Sequence, residues 1–201
     1  MSPGELLQFL RDRRSVRHFE ARALPPACIE KLLEAATWAP SAHNRQPWRF
    51  VVVQAASTKE RLAREMGARL RQDLQADGLP DELIEADVQR SYGRITSAPL
   101  LILLCMSLSD MDVYTDDQRN SHEATMALQS AAMAGQNLLL MAAGLGLGAC
   151  WICAPLFCQD LVASVLDLPA DWRPQGMITL GYPAQNRQRS REPWEAKTLW
   201  R

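Results

Sequence analysis

Residues 138–158 read LLLMAAGLGLGACWICAPLFC, the most apolar part of a longer stretch, 124–159, that contains no Asp, Glu, Lys or Arg. A membrane-spanning helix needs ~20 apolar residues, so the stretch is long enough to raise that reading. Gly144, Gly146, Gly148 and Pro155 decide against it, because they divide it into a helix end, a tight turn and a strand. A turn and an unpaired strand would leave backbone groups unsatisfied in hydrocarbon. The stretch therefore reads as protein interior, with a long helix over Ala124–Ala143 feeding a buried strand at ACWIC. Small residues Ala127, Ala131 and Gly135 recur every four positions along that helix, which predicts a close helix–helix contact on this stripe.

The rest of the chain is ordinary in composition. Its 201 residues suit one domain, with 47% hydrophobic and 22% charged positions. Twenty-two Lys and Arg against 23 Asp and Glu leave a formal charge of −1, which excludes bulk attraction to nucleic acid or to an anionic membrane. The N-terminus MSPGELLQFLRDRRS lacks a basic region followed by a long apolar core, so no secretory leader is expected. Five cysteines, an odd number, fit a reducing cytoplasm better than a disulfide scaffold.

Helical spacing of Leu6, Leu7, Phe9 and Leu10 predicts a first helix over Gly4–Arg14. Pro25 and Pro26 open a second helix with Ile29, Leu32, Leu33 and Ala36 on its apolar face, and Pro40 ends it. QPWRFVVVQ and PLLILLCM read as buried strands. Between them, Ser57 to about Arg94 reads as a solvated helix pair broken at Gly78–Pro80. Residues 110–123 suit a loop and helix start, Cys158–Leu168 a short helix, and GMITLGYP a fourth strand.

Several motifs are weaker than they look. Cys150-x2-Cys153-x4-Cys158 has no second cysteine pair and lies in an apolar run, so buried thiols are the expected reading rather than a metal site. Gly144-Leu-Gly-Leu-Gly-Ala149 formally matches a dinucleotide fingerprint, but it follows a helix and precedes a strand, the reverse of the order that motif needs. The arginines say more. Only Lys31, Lys59 and Lys197 are lysines, and the arginines crowd two places, Arg11, Arg13, Arg14, Arg17 and Arg22 at one end and Arg187, Arg189 and Arg191 at the other. Guanidinium forks bind phosphate bidentately, so clusters brought together by folding could hold one phosphorylated cofactor.

Arg13-Arg14-Ser15-Val16-Arg17-His18-Phe19, followed by Ala39-Pro40-Ser41-Ala42-His43-Asn44-Arg45-Gln46-Pro47-Trp48-Arg49-Phe50, resembles the nitroreductase family of flavoproteins. Gly144–Ile152 and Ile178-Thr-Leu-Gly181-Tyr-Pro183 look like later family landmarks in the right order. The resemblance implies an α+β fold with a small central mixed sheet surrounded by helices, an intertwined homodimer, and FMN at the subunit interface. It puts Arg13, Arg14 and Ser15 at the FMN phosphate and ribityl chain, and Arg17 at the ribityl and pyrimidine edge. Pro40, Ser41, Ala42 and Asn44 would line the flavin from the partner, and Ile152, Cys153 and Ala154 would offer backbone near N5. Arg189 and Arg191 would close the phosphate site, and Arg94 is a looser candidate for the flavin O2.

A fixed cation near N1 and O2 stabilises reduced flavin, and Arg17 or Arg94 could supply it. The resemblance implies hydride transfer from NADH or NADPH to small, electron-poor acceptors such as nitroaromatics or quinones, with no protein acid–base dyad and no metal. It places the small-residue stripe at the dimer interface. Two alternatives stay open: a specialised member like those of deazaflavin-cofactor biosynthesis, or a flavin-binding protein without general turnover. Flavin-destroying members of cobalamin-ligand synthesis tend to carry Asp where Ser15 stands here.

Overall fold

The computed structural model describes residues 1–185 and 190–201. Helices α1 (Pro3–Asp12) and α2 (Pro26–Thr37) precede strand β1 (Trp48–Val53). Helices α3 (Ala56–Ala76) and α4 (Asp81–Thr96) lead to β2 (Leu100–Met106), and α5 (Asp117–Gly144) to β3 (Gly148–Ile152). Helix α6 (Gln159–Val165) and β4 (Arg173–Gly181) complete the main elements. The uncharged stretch thus splits as its glycines dictate: α5 ends at Gly144 and β3 starts at Gly148. Among the described residues no helix is long and apolar enough to cross a membrane.

The strands form one sheet in the order β1-β2-β4-β3, with every neighbouring pair antiparallel. This corrects the mixed sheet that the resemblance implies. The single crossover through α5 does make β2 and β3 run in the same sense, but β4 lies between them and opposes both. Among the described residues the one parallel contact is an isolated bridge, Ser15 to Ala149.

Strand β2 explains the layering. All seven of its residues are buried, as a central strand covered on both faces requires. Leu100, Ile102, Leu104 and Met106 join Leu32 and Ala36 of α2 and Ala127, Ala131 and Leu138 of α5 on one face. Leu101, Leu103 and Cys105 join Leu62 and Met66 of α3, Ile95 of α4 and Val162 of α6 on the other. The α3–α4 pair is therefore not simply solvated: its apolar residues cover a sheet face, and apart from the buried Lys59 its charged residues face outward. Burial pushes the Cys105 thiol up to about 12, and Cys150 and Cys158 are buried too, whereas Cys153 is exposed.

Local chemistry sets the element ends. Ser2 and Glu5 cap α1 reciprocally, the Glu5 N–H donating to Ser2 Oγ at 3.3 Å and the Ser2 N–H to Glu5 Oε2 at 2.6 Å. Asp116 accepts from the Arg119 N–H at 2.8 Å, which starts α5 ahead of the apolar run. The buried Lys59 of α3 donates from Nζ to the Ala98 carbonyl at 2.6 Å and the Pro99 carbonyl at 3.4 Å, tying α3 to the start of β2. Lys59→Met is expected to lower unfolding stability by about 1–3 kcal/mol in a denaturant titration, since it strands these acceptors. An unchanged midpoint would refute that role.

The small-residue stripe is also corrected. Ala127 and Ala131 are fully buried within the chain's own core, and Gly135 faces the sheet, where an added Cβ would lie 2.3 Å from Trp151 Cζ3. The stripe thus packs inside the chain, with α2 beside Ala127 and Ala131 and the Trp151 indole against Gly135, rather than at a dimer interface. At Gly176 of β4 an added Cβ would likewise lie 2.5 Å from Cε2 and Cζ2 of the same ring.

Candidate functional site

The arginine-rich segment after α1 is pinned as a strap along β3. The Val16 N–H donates to the Ala149 carbonyl at 3.0 Å, and farther on the Glu20 N–H donates to the Tyr182 carbonyl at 2.9 Å. Only glycine fits beneath the strap at 148, where a Cβ would sit 2.7 Å from Val16 Cγ1. The strap therefore holds alternate side chains at fixed places beside the β3 edge.

Two basic groups result. Arg13 is partly buried, which lowers its pKa, and the charges of Arg191 and Arg14 lower it further. Arg14 Nη1 donates to the carbonyls of Arg11 and Arg13, but its Nε is buried without a partner. Leu10, Arg11, Arg14 and Arg191 line a small cleft there. Arg189 lies outside the described residues. The second group lines a larger cleft of about 700 Å³, with Ser15, Arg17 and His18 on the strap facing Gln89, Arg90, Gly93 and Arg94 of α4 and Ser97 just after it. Behind it, burial raises the pKa of the Cys150 thiol, while Arg17, a hydrogen bond with Ser15, Arg94 and Arg13 oppose the rise. Ser15, Arg17 and Arg94 thus share the wall of one cleft beside β3.

Arg17 and Arg94 share this cleft without a carboxylate partner, as Arg13, Arg14 and Arg22 also lack one among the described residues. Arg49, by contrast, pairs with Asp110 at 2.6 Å and Arg71 with Glu85 at 2.7 Å. Unpaired guanidiniums facing a cleft, with an orphaned Arg14 donor nearby, make an anion-binding donor set. Arg94 of the α4 wall was named from the sequence, but Arg90 was missed because the segment's charges read as a solvated face; the i, i+4 spacing of the two was the available signal.

Pro40, Ser41, Ala42 and Asn44 are not brought to this cleft within the chain. They lie just before β1, the opposite edge strand from β3, about 14 Å away over three strand spacings. Their loop is held in shape. His43, Asn44 and Gln46 have φ of 50°, 54° and 50°, a region that is costly for residues with a Cβ. Ion pairs Arg45–Asp112 and Arg49–Asp110 fasten the segment to the residues after β2. The Gln46 N–H donates to Ser41 Oγ at 3.1 Å, and the Ala42 N–H to Ser130 Oγ of α5 at 3.3 Å. Trp48, at the loop's end, is buried in the core. Ile152, Cys153 and Ala154 follow directly from the clamped Trp151, and Cys153 is open to solvent.

The nitroreductase family model matches residues 10–182, from the strap through the end of the sheet. The chain belongs to the nitroreductase family. This nitroreductase-family chain is 28% identical over 190 residues to a protein of Methanothermobacter thermautotrophicus named as an NADH dehydrogenase/NAD(P)H nitroreductase, covering 92% of this chain and 81% of that one. It is 31% identical over 178 residues to the 5,6-dimethylbenzimidazole synthase of Rhodospirillum rubrum, covering 86% and 79%. A solved nitroreductase from Desulfovibrio desulfuricans, crystallised in complex with FMN, superposes with a TM-score of 0.75 at 28% identity, over 100% of this chain and 98% of its own.

Proposed function

We propose that this nitroreductase-family chain is an FMN-dependent oxidoreductase that passes hydride from NADH or NADPH to small, flat, electron-poor acceptors such as nitroaromatics or quinones. The observation that carries the reading is the pair Arg17 and Arg94, unpaired among the described residues and facing one cleft beside Ser15. The residues fit FMN by their donor chemistry. Arg13, Arg14 and Arg191 form a phosphate-binding group with a buried Nε still lacking an acceptor. Ser15 offers a hydroxyl for the ribityl chain, and Arg17 and Arg94 offer cations for the pyrimidine edge.

FMN, when bound, supplies the ring atom that accepts and gives hydride, so the chain's own work is binding, orientation and charge. Arg17 and Arg94 favour the reduced over the oxidised form electrostatically. The Trp151 clamp fixes the Ile152–Ala154 backbone where the family resemblance expects N5. Pro40, Ser41, Ala42 and Asn44 sit at the far sheet edge, so a homodimer in which the partner's loop closes the cleft is part of the reading.

The deciding experiment is a visible spectrum of the purified protein with and without added FMN, followed by anaerobic NADH or NADPH. A flavin spectrum bleached by the donor and restored by a nitroaromatic supports the reading. Protein that never acquires flavin absorbance and oxidises no donor sinks it. The similarity to 5,6-dimethylbenzimidazole synthase favours a second reading, a specialised enzyme rather than a general reductase. Formation of 5,6-dimethylbenzimidazole from reduced FMN in air, without steady nitroaromatic turnover, would select it.

A further inference from the structure

FMN carries one phosphate and one ring edge that gains negative charge on reduction, yet the chain places guanidiniums at three stations. Arg13, Arg14 and Arg191 form the first, and Arg17 with Arg94 the second. Arg90 is the third. It lies one helical turn before Arg94 on α4 and lines the same cleft, beside Gln89. On the proposed FMN reading it has no anionic group of the cofactor left to meet.

Its surroundings are those of a binding position. Asp87, three residues earlier, accepts from one Arg90 nitrogen, Nη2. An arginine carries five donors, so that contact orients the guanidinium and leaves most of its donors free. Gly93 leaves bare backbone between Gln89 and Ser97, because a Cβ there would meet nothing within 4 Å. A ligand can therefore lie along this turn of α4. The cleft of about 700 Å³ is large enough to hold a group beyond the one near Arg17.

We propose that Arg90, oriented by Asp87, is an oxyanion subsite at the outer part of the cleft. It selects electron donors or acceptors bearing a phosphate or carboxylate over their neutral counterparts. The chemistry is shared between two sources, the extra phosphate of NADPH and a carboxylate on the acceptor, and the inference rests on the FMN reading above.

The test compares wild type, Arg90→Gln and Asp87→Asn as FMN-loaded protein. Arg90→Gln should raise KM for NADPH relative to NADH, or for 4-nitrobenzoate relative to nitrobenzene, by roughly tenfold, the scale of one charge-assisted hydrogen bond. The first ratio identifies the donor as the source, the second the acceptor. Asp87→Asn, which keeps an acceptor oxygen for Arg90 but removes a negative charge beside the subsite, should move the same ratio the opposite way. Calorimetry with 2′-AMP against adenosine, and with 4-nitrobenzoate against nitrobenzene, should show the anion's advantage lost in Arg90→Gln. Unchanged ratios, or a fall in FMN affinity in Arg90→Gln, would overturn the subsite. If wild type binds no FMN, the FMN reading fails separately, and calorimetry on the protein as purified still decides the fate of Arg90.

Discussion

Gly135→Ala is expected to destabilise the fold by about 3 kcal/mol, near the upper end of ordinary overpacking, although it adds a single methyl group. That methyl would stand 2.3 Å from Trp151 Cζ3 and 3.1 Å from Leu104 Cδ2. The indole has little room to move away, because its opposite edge already lies so near the Gly176 backbone that an added Cβ would be 2.5 Å from Cε2 and Cζ2. The strain must displace α5 from the sheet or expel Trp151, and a close-packed interior resists either. Gly4→Ala is the matched control: a Cβ there meets nothing within 4 Å, and helix propensity favours alanine by about 1 kcal/mol. Guanidinium denaturation midpoints should therefore move in opposite directions. In a double-mutant cycle, Trp151→Leu should cost less in the Gly135→Ala background than in wild type, because the two positions share one contact. Independent effects at 135 and 151 would show that the clamp is misread.

The second large effect concerns the basic strap. Arg13→Ala and Arg17→Ala should each weaken FMN binding by roughly tenfold to a hundredfold, the range for one charge-assisted contact. The two should differ in kind. Arg13 sits with Arg14 and Arg191, so its loss should flatten the salt dependence of FMN binding, as removal of a phosphate contact does. Arg17 shares its cleft with Arg94, so its loss should also make bound flavin harder to reduce, because a cation that favours the reduced form is gone. Fluorescence titration of apoprotein with FMN and a redox titration of the complex read the two separately. If both variants bind FMN as wild type does, the strap is not the phosphate and ribityl side of the site.

Most of the secondary structure was legible because it depends on short-range rules. Gly144, Gly146 and Gly148 crowd a turn onto the end of α5, with Gly146 in the left-handed region at φ 70°, Pro26 opens a helix, and the apolar run PLLILLCM has to be covered on both faces. The motif residues of the strap were legible as a pair of arginine clusters. The α4 wall was legible only at Arg94, through the family resemblance, since Arg90 and Arg94 follow a charge pattern that equally describes a solvated face; only the approach of the strap to α4 makes both cleft residues.

The stripe Ala127, Ala131 and Gly135 shows the same division from the other side. Its small residues announced that something comes close to α5, but spacing is blind to the identity of the neighbour. The tertiary structure supplied Trp151, a side chain from β3 that Gly135 and Gly176 jointly admit. The uncharged run by itself thus determined helix, turn and strand in that order, because glycine and proline act through local conformation; its reading as interior throughout is corrected, since Leu128, Met133, Leu156 and Phe157 are exposed. What packs on that helix, which guanidiniums stay unpaired, and why the Pro40–Asn44 loop lies at the far edge from the Arg13–Arg17 strap were decided only by the sheet order β1-β2-β4-β3. Strand order is a property of contacts between distant segments, and no local pattern encodes it.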